Sequence, residues 1–293
     1  MTLFIGILEQ GFIYGIMALG AYITYKILDF PDLTVDGSFP LGAAVTVALI
    51  SRGVNPYLTF PIAALCGALA GMCTGLIHVK GKVRDLLSGI IMMTALYTIN
   101  YRIAGKSNVP MFSMKTAFDN DFINSLPAGL TPVRSLLVIL IVSLACKFLL
   151  DAYLCTRSGF LLRAVGDNDM LVTSLAKNNG TVKIIGLAIA NGLVALGGSV
   201  MCQQQRFFDL SMGTGTVVIC LASVIIGTSV FKNVTFLKPT TAVLLGSIFY
   251  KACVAIAMNV GFQATDMKLI MAVLFLVILI VNRDRKRKVK GHA

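Results

Sequence analysis

Apolar residues in this chain come in uninterrupted runs of about twenty, the length a helix needs to cross the hydrocarbon core of a bilayer. Nine such runs are read, at roughly 3–25, 37–54, 57–79, 86–104, 134–154, 184–203, 214–231, 239–260 and 267–282. Of 293 residues, 57% are hydrophobic and 13% charged, and the mean hydropathy is +0.85. A water-soluble fold of this size could not hide so much apolar surface. Without water in the bilayer every backbone polar group must be satisfied internally, leaving helices or closed barrels. The runs are continuous rather than alternating, so the expected fold class is all-α. The expectation is a single transmembrane domain over 1–293, with about nine helices (eight to ten) and no soluble domain.

The second run is unusual. Its entry, Phe30-Pro31-Asp32-Leu33-Thr34-Val35-Asp36-Gly37-Ser38-Phe39-Pro40, holds two prolines, two acids and a glycine. It predicts extended chain and a broken second helix. Irregular backbone at membrane depth is tolerated only where protein or a watery cavity covers it.

Basic residues set the orientation. Of 25 lysines and arginines, six crowd into 283–293 directly after an apolar run, as in a cytoplasmic tail under the positive-inside rule. A phosphate-binding tail is the lesser alternative. Counting back from that end puts 80–85, 155–183 and 232–238 inside, and 105–133, 204–213 and 261–266 outside. The N-terminus then falls outside, an assignment that reverses if one run is re-entrant or hides two short helices. The first run lacks a basic leader and contains Glu9 and Gln10, so it reads as a permanent helix rather than a cleaved signal. The outer stretch 105–133 is expected to hold a short helix or a lid.

The inner stretch, Thr156 to Gly180, is the most informative. Asp167 and Asn168 can cap a helix, Asp169 puts negative charge on its first turn, Lys177 falls in its last, and Asn178-Asn179-Gly180 supplies stop residues. The product is a helix of about ten residues, too short to span, presenting Met170, Leu171, Leu175 and Ala176. Such a patch is either a knob for a partner's groove or a linker helix packed on the chain's own spans.

Ionisable groups inside spans are costly and usually pair or face a cavity. Glu9 and Lys251 lie at comparable depth in the first and eighth runs and are expected to face the interior, with a mutual pair, a translocation role and snorkelling all open. Lys147 precedes Asp151 by one helical turn, so a pair within one helix suffices. Gln203, Gln204 and Gln205 at an outer end line an exit, dock a binding protein, or mark an ordinary boundary. Asp36, Glu9, Lys251, Gln203 and Gln205 are the candidate path residues. Gly67, Gly71 and Gly75, with Gly11 and Gly15, are spaced for close helix contact, within one protomer or between two.

Three blocks carry a family resemblance. Thr156-x-x-Gly159-x-x-Leu162-Arg163-Ala164-x-Gly166-Asp167-Asn168 resembles the coupling loop of ABC-importer permeases of the branched-chain amino-acid and ribose family. Leu33 to Ala44 is similar to that family's broken second helix. Gly186 to Gly198, continued by Gln203-Gln204-Gln205, Asp209, Met212-Gly213 and Ala222 to Gly227, resembles the region after the loop. The wording is nearest a branch found with binding proteins for tryptophan or tyrosine. The resemblance implies a bacterial plasma-membrane importer in which a separate extracytoplasmic binding protein delivers the solute and two cytoplasmic ABC ATPase subunits drive two permease copies. ATPase coupling carries over to Arg163, Gly166, Asp167 and Asn168, with Met170 and Leu171 as the apolar contact. Relatives often have proline where this chain has Asp169.

The chain itself is not expected to be an enzyme. The only near match to a phosphate loop, at 100–107, has Asn100 where the first glycine should be. The two histidines, His78 and His292, form no catalytic set. The seven cysteines show no metal-ligand spacing and read as small helix residues, so no metal or cofactor is expected. An ion-coupled secondary transporter using Glu9 and Lys251 is the alternative, weakened because no internal repeat of broken helices is evident in the sequence. A non-transporting scaffold is the third reading.

Overall fold

The computed structural model describes residues 2–119, 133–167, 179–232 and 236–259, with positions 234, 266, 269, 270, 272, 273 and 275–280. The chain is helical almost throughout. The first helix, α1, runs Thr2–Ala21 and continues as a π-helical turn, Tyr22–Ile27. It is followed by α2 (Val35–Ile50), α3 (Pro56–Val79), α4 (Asp85–Ala104), α5 (Arg134–Leu154), the short α6 (Arg157–Asp167), α7 (Asn179–Gln205), α8 (Thr216–Val230) and α9 (Pro239–Asn259). Among the described residues seven helical segments are long and apolar enough to span, one of them Leu210–Val230, which joins a 3-10 turn (Leu210–Gly213) to α8, and Val35–Ile50 is a shorter apolar helix. The predicted ninth run, 267–282, is only partly described, and its described positions from 269 to 280 are helical.

Local chemistry sets several boundaries. Asn55 accepts a hydrogen bond from the Tyr57 amide at 3.0 Å, with Pro56 pre-shaped for the first turn of α3. Gly105, at φ 78°, ends α4 in the left-handed conformation that glycine takes without strain. The stretch after α4 forms a strand, β1 (Asn108–Pro110), antiparallel to β2 (Phe207–Asp209). A short helix or a lid was expected in 105–133; its described part is this ribbon and a set of turns, and 120–132 lie outside the described residues.

The long helix α7 is the axis of the bundle, packed by α1, α2, α3 and α6. Backbones approach closely there. A Cβ at Gly71 would fall on the Leu187 carbonyl, and one at Gly75 would sit 2.9 Å from the Ile184 Cα. Likewise Gly11 and Gly15 let α1 meet Ile248 and Leu244 of α9. The glycine stripes therefore serve contacts within one protomer.

The two halves of this bundle repeat each other upside down. Gly15-Ile-Met-Ala-Leu-Gly20 matches Gly192-Leu-Val-Ala-Leu-Gly197, and Phe30-Pro-Asp-Leu-Thr34 matches Phe207-Phe-Asp-Leu-Ser211, at one constant spacing. The backbone agrees: Asp29 and Arg206, at equivalent positions, take left-handed φ values of 51° and 54°. Equivalent turns follow. The Thr34 amide donates to Asp32 Oδ1 at 2.8 Å, and the Ser211 amide to Asp209 Oδ1 at 2.6 Å. Packing maps across as well, α3 on α7 answering α9 on α1, and α2 on α3 answering α8 on α9. The α1 and α7 axes are antiparallel, since Leu28 meets Gly186 while Glu9 meets Gln204. The repeat is inverted, and the sequence expectation that no such repeat exists is corrected.

Each half thus contains one broken span. At 1.5 Å per residue α2 and α8 are about 24 and 22 Å long, well short of a ~30 Å hydrocarbon core, against about 40 Å for α7. Both α2 and α8 begin part-way along the bundle, and their N-termini meet. A Cβ at Gly213 would fall on the Asp36 carbonyl and lie 2.6 Å from Pro40 Cδ.

Candidate functional site

Two linked regions stand out: the docking of α6 at one end of the bundle, and the junction of the two broken helices inside it.

Thr156 starts α6 by accepting the Gly159 amide at 3.3 Å on its hydroxyl. Gly159 lets the helix fold back on Tyr153 and Leu154, and Gly166 lies against the Ile27 carbonyl, where any side chain would collide. Leu162 and Val165 are buried. Leu162 and Leu28 both reach the space above Gly186. Arg157, Phe160 and Arg163 are exposed. The sequence-predicted helix after Asp167, with Asn168, Met170 and Leu171, lies outside the described residues. The structure adds the helix before it, so Asp167 ends α6.

From that docking the chain leads inward. The π turn Tyr22–Ile27 ends at Leu28, Asp29 reverses direction with its left-handed φ, and the 30–34 turn follows. Asp32 is buried. Its Oδ2 accepts from Asn191 Nδ2 at 2.7 Å, and Asn191 Oδ1 accepts from Ser38 at 2.8 Å. Thr34 and Thr74 share a hydrogen bond of 2.9 Å. The first break is thereby stapled to α3 and α7.

At the junction Asp36 caps α8. Its Oδ1 accepts from the Val217 amide at 2.9 Å and the Thr216 hydroxyl at 2.8 Å, and its Oδ2 from the Gly215 amide at 3.1 Å. A carboxylate at a helix N-terminus meets both the free amides and the positive end of the dipole. Asp36 therefore ties the start of one broken helix to the start of the other.

The other candidate residues are dispersed. Glu9 accepts from Gln204 at 3.2 Å. Lys251 is buried, with its ammonium 3.8 Å from the centre of the Tyr14 ring. The two make no ion pair with each other. By the repeat, Tyr14 and Lys251 stand where Asn191 and Thr74 stand in the other half, so a cation–π contact replaces the polar staple. Gln203 is fully buried and ties the end of α7 to the start of α3 and the 116–119 turn through the Ala117 amide, the Pro56 carbonyl and the Thr59 hydroxyl. Gln205 is exposed. The Lys147–Asp151 pair is present at 3.1 Å and is joined by Lys238 at 3.6 Å. Sequence reasoning missed Asn100, a buried amide in α4 that donates to the Gly37 carbonyl at 3.0 Å. An asparagine inside an apolar run, flanked by Tyr97 and Tyr101, was the available signal.

Residues 3–282 match the family of the permease component of branched-chain amino acid transport systems. The chain belongs to this family. The permease is 45% identical to a tyrosine transport system permease protein of Clostridioides difficile (strain R20291), over 95% of this chain and 91% of that one. It is 32% identical to the uncharacterized protein RP368 of Rickettsia prowazekii (strain Madrid E), over 97% and 99%. It is 29% identical to the ribose import permease protein RbsC of Escherichia coli (strain K12), over 75% and 67%. Among solved structures, PsaBC from Streptococcus pneumoniae in complex with Fab superposes with a TM-score of 0.53 at 12% identity, covering 93% of this chain and 89% of that one, a likeness of fold alone. The three sequence blocks thus point to the right family. The permease is a multi-pass membrane protein of a transport system for small solutes, and α6 is the described start of the segment that resembles the family's coupling loop.

Proposed function

We propose that the permease is the membrane subunit of an ABC importer that moves a small solute, an amino acid of aromatic type, inward by alternating access. ATP is hydrolysed by separate cytoplasmic subunits that grip the 157–178 segment. An extracytoplasmic binding protein delivers solute at the opposite end, and a second copy of the permease completes the path in the bacterial plasma membrane, with the C-terminus cytoplasmic. Two ATPases closing on each other need two handles, which calls for the dimer.

One observation carries this reading. The buried side of α6 sits on the π turn of α1 with no room for adjustment at Gly166, and that turn leads through Asp29 and the Asp32 staple to Asp36. A push on α6 is therefore delivered to the meeting point of the two broken helices. The exposed side of α6 offers Phe160 between Arg157 and Arg163, an apolar contact flanked by charge suited to a partner's groove. The amino-acid assignment rests on likeness to the tyrosine system permease. The test is co-purification. The intact permease should retain an ATPase subunit, and Arg163→Glu or Phe160→Glu should release it while leaving the permease folded. Retention by both variants, or labelling of 157–167 from the extracellular side, removes the reading.

The inverted repeat with paired broken helices favours a second reading, an ion-coupled transporter, because such repeats are a common plan in that class. Uptake driven by an ion gradient in vesicles depleted of ATP would establish it.

A further inference from the structure

The two halves of the repeat differ in how their breaks lie. In the first half Phe30, Asp32 and Thr34 are buried. Phe30 stands edge-on to His78 of α3 with ring centres 5.1 Å apart, and Thr34 bonds Thr74. Their counterparts Phe207, Asp209 and Ser211 are half-buried or exposed, and the intervening Phe208 and Leu210 are buried instead. Side chains alternate along an extended chain, so the second break turns its opposite face to the bundle. There it pairs with β1, while Phe208 and Leu210 join Met111 and, on α2, Ala44 and Val47. Arg206 at its start forms an ion pair with Asp119, and the Arg206 carbonyl accepts from the Met111 amide at 2.9 Å.

By the repeat, the second break would instead lie on α1 and α9, and a groove of about 360 Å³ runs there, at the end of α1 remote from α6. Ile7, Gln10, Lys251, Val254 and Ala255 bound it. Lys251 answers Thr74 and Ala255 answers His78, the two residues on which the first break rests. Lys251 is 5% exposed, and its ammonium meets the Tyr14 ring but no carboxylate among the described residues. A charge inside a span without its opposite is costly. Asp209 is in the converse position: Ser211 occupies its Oδ1, and its Oδ2 has no partner among the described residues. The chain can bring the two together. Gln204 bonds Glu9, next to Gln10 of the groove wall, and the three residues from Arg206 to Asp209 reach about 10 Å. Gly213 and Gly215, the latter at φ 85°, supply the slack on the far side.

We infer that residues 206–211 are a gate with two positions. In this structure they lie on β1 and α2. In the other position they turn over into the α1–α9 groove, with Asp209 on Lys251 and Phe207 beside Ala255, as the 30–34 break already lies on α3 and α7. The exchange is between like terms: Phe207 is buried as Phe208 is released, and an ion pair forms where a cation–π contact stood. The same movement withdraws Gly213 from the Asp36 carbonyl, so it reaches the junction of the two broken helices. The inference rests on the alternating access of the proposed function, but on neither its solute nor its energy source.

Disulfide trapping in the full-length permease in nanodiscs, without ATP or partner subunits, tests it. Asp209→Cys is combined with Lys251→Cys, the protein is oxidised, and the bridge is located by peptide mass spectrometry, with each single variant as the control for the native cysteines. A bridge between 209 and 251 should accumulate. Asp119→Asn, which frees Arg206, should speed it about two- to fivefold, the worth of a half-exposed ion pair. Asp209→Cys with Ile256→Cys, on the outward face of α9 at 63% exposed, should not link. Uptake by cells carrying the complete transport system covers the case in which a cysteine variant folds poorly. Lys251→Met and Asp209→Asn should each lower uptake at least about tenfold, and the double variant no further than the more damaging single change. No bridge with or without Asp119→Asn, equal linking at 256 and 251, or losses that multiply in the double variant would each overturn the inference. A bridge in a permease whose uptake is indifferent to ATP would leave it standing and remove the importer reading instead.

Discussion

Replacing Asp36 by alanine removes all three acceptor contacts at the start of α8. Two are backbone amides, Val217 at 2.9 Å and Gly215 at 3.1 Å, and one is the Thr216 hydroxyl at 2.8 Å. Loss of an N-cap costs about 1–2 kcal/mol. Loss of a carboxylate from a partly buried helix N-terminus adds up to about 2 kcal/mol. These terms overlap, so the net destabilisation should be about 2–3 kcal/mol. Asp36→Asn keeps one acceptor oxygen and loses the charge, and should cost about 1 kcal/mol. Unfolding in mixed detergent micelles, followed by helical circular dichroism, gives both numbers. An alanine variant within about 0.5 kcal/mol of the native chain, the scatter of ordinary surface changes, would show that Asp36 does not hold the two broken helices together.

Gly71→Val should separate α3 from α7, because its side chain meets the backbone at Leu187; overpacking of about 3 kcal/mol or more is expected. Fluorescence size-exclusion should show loss of the monodisperse peak, whereas Gly6→Val, in open space, should elute normally. Lys251→Met should be as stable as the native chain or more so, because desolvating an ammonium outweighs a cation–π contact of about 2 kcal/mol. A fall in thermal stability of that variant would contradict this, and a fall in uptake alone would give Lys251 a transport role. Gly166→Ala should lift α6 from Ile27, leaving the ATPase bound but its hydrolysis no longer answered by uptake; unchanged coupling would refute the docking chain.

Span positions were legible because bilayer thickness fixes helix length whatever the tertiary contacts. The Lys147–Asp151 pair was legible for a similar reason, since helical spacing alone brings the two side chains together. The break at 30–40 showed through its prolines. Its counterpart at 206–215 did not: Asp209 and Gly213 read as an ordinary loop, and the run at 214–231, Gly215 included, looked full length. The repeat escaped notice because only small residues at α1 and α7 and the Phe-x-Asp-Leu turns survive in both halves. Whether Glu9 and Lys251 pair stays open in the sequence, because depth does not say which way a helix faces. Glu9 turns to Gln204, and Lys251 to Tyr14. The helix at 157–167 was missed although Thr156 and Gly159 carry its cap, because the stronger-looking cap at Asp167 and Asn168 drew the assignment one helix later.

Uptake of labelled L-tyrosine into vesicles holding the permease with its ATPase and binding protein tests the central claim most directly, with ATP and an ion gradient supplied separately. Accumulation with ATP alone, abolished by Phe160→Glu on the open face of α6, is the predicted result. Accumulation with the gradient alone, or ATP-driven uptake untouched by that change, would contradict the account.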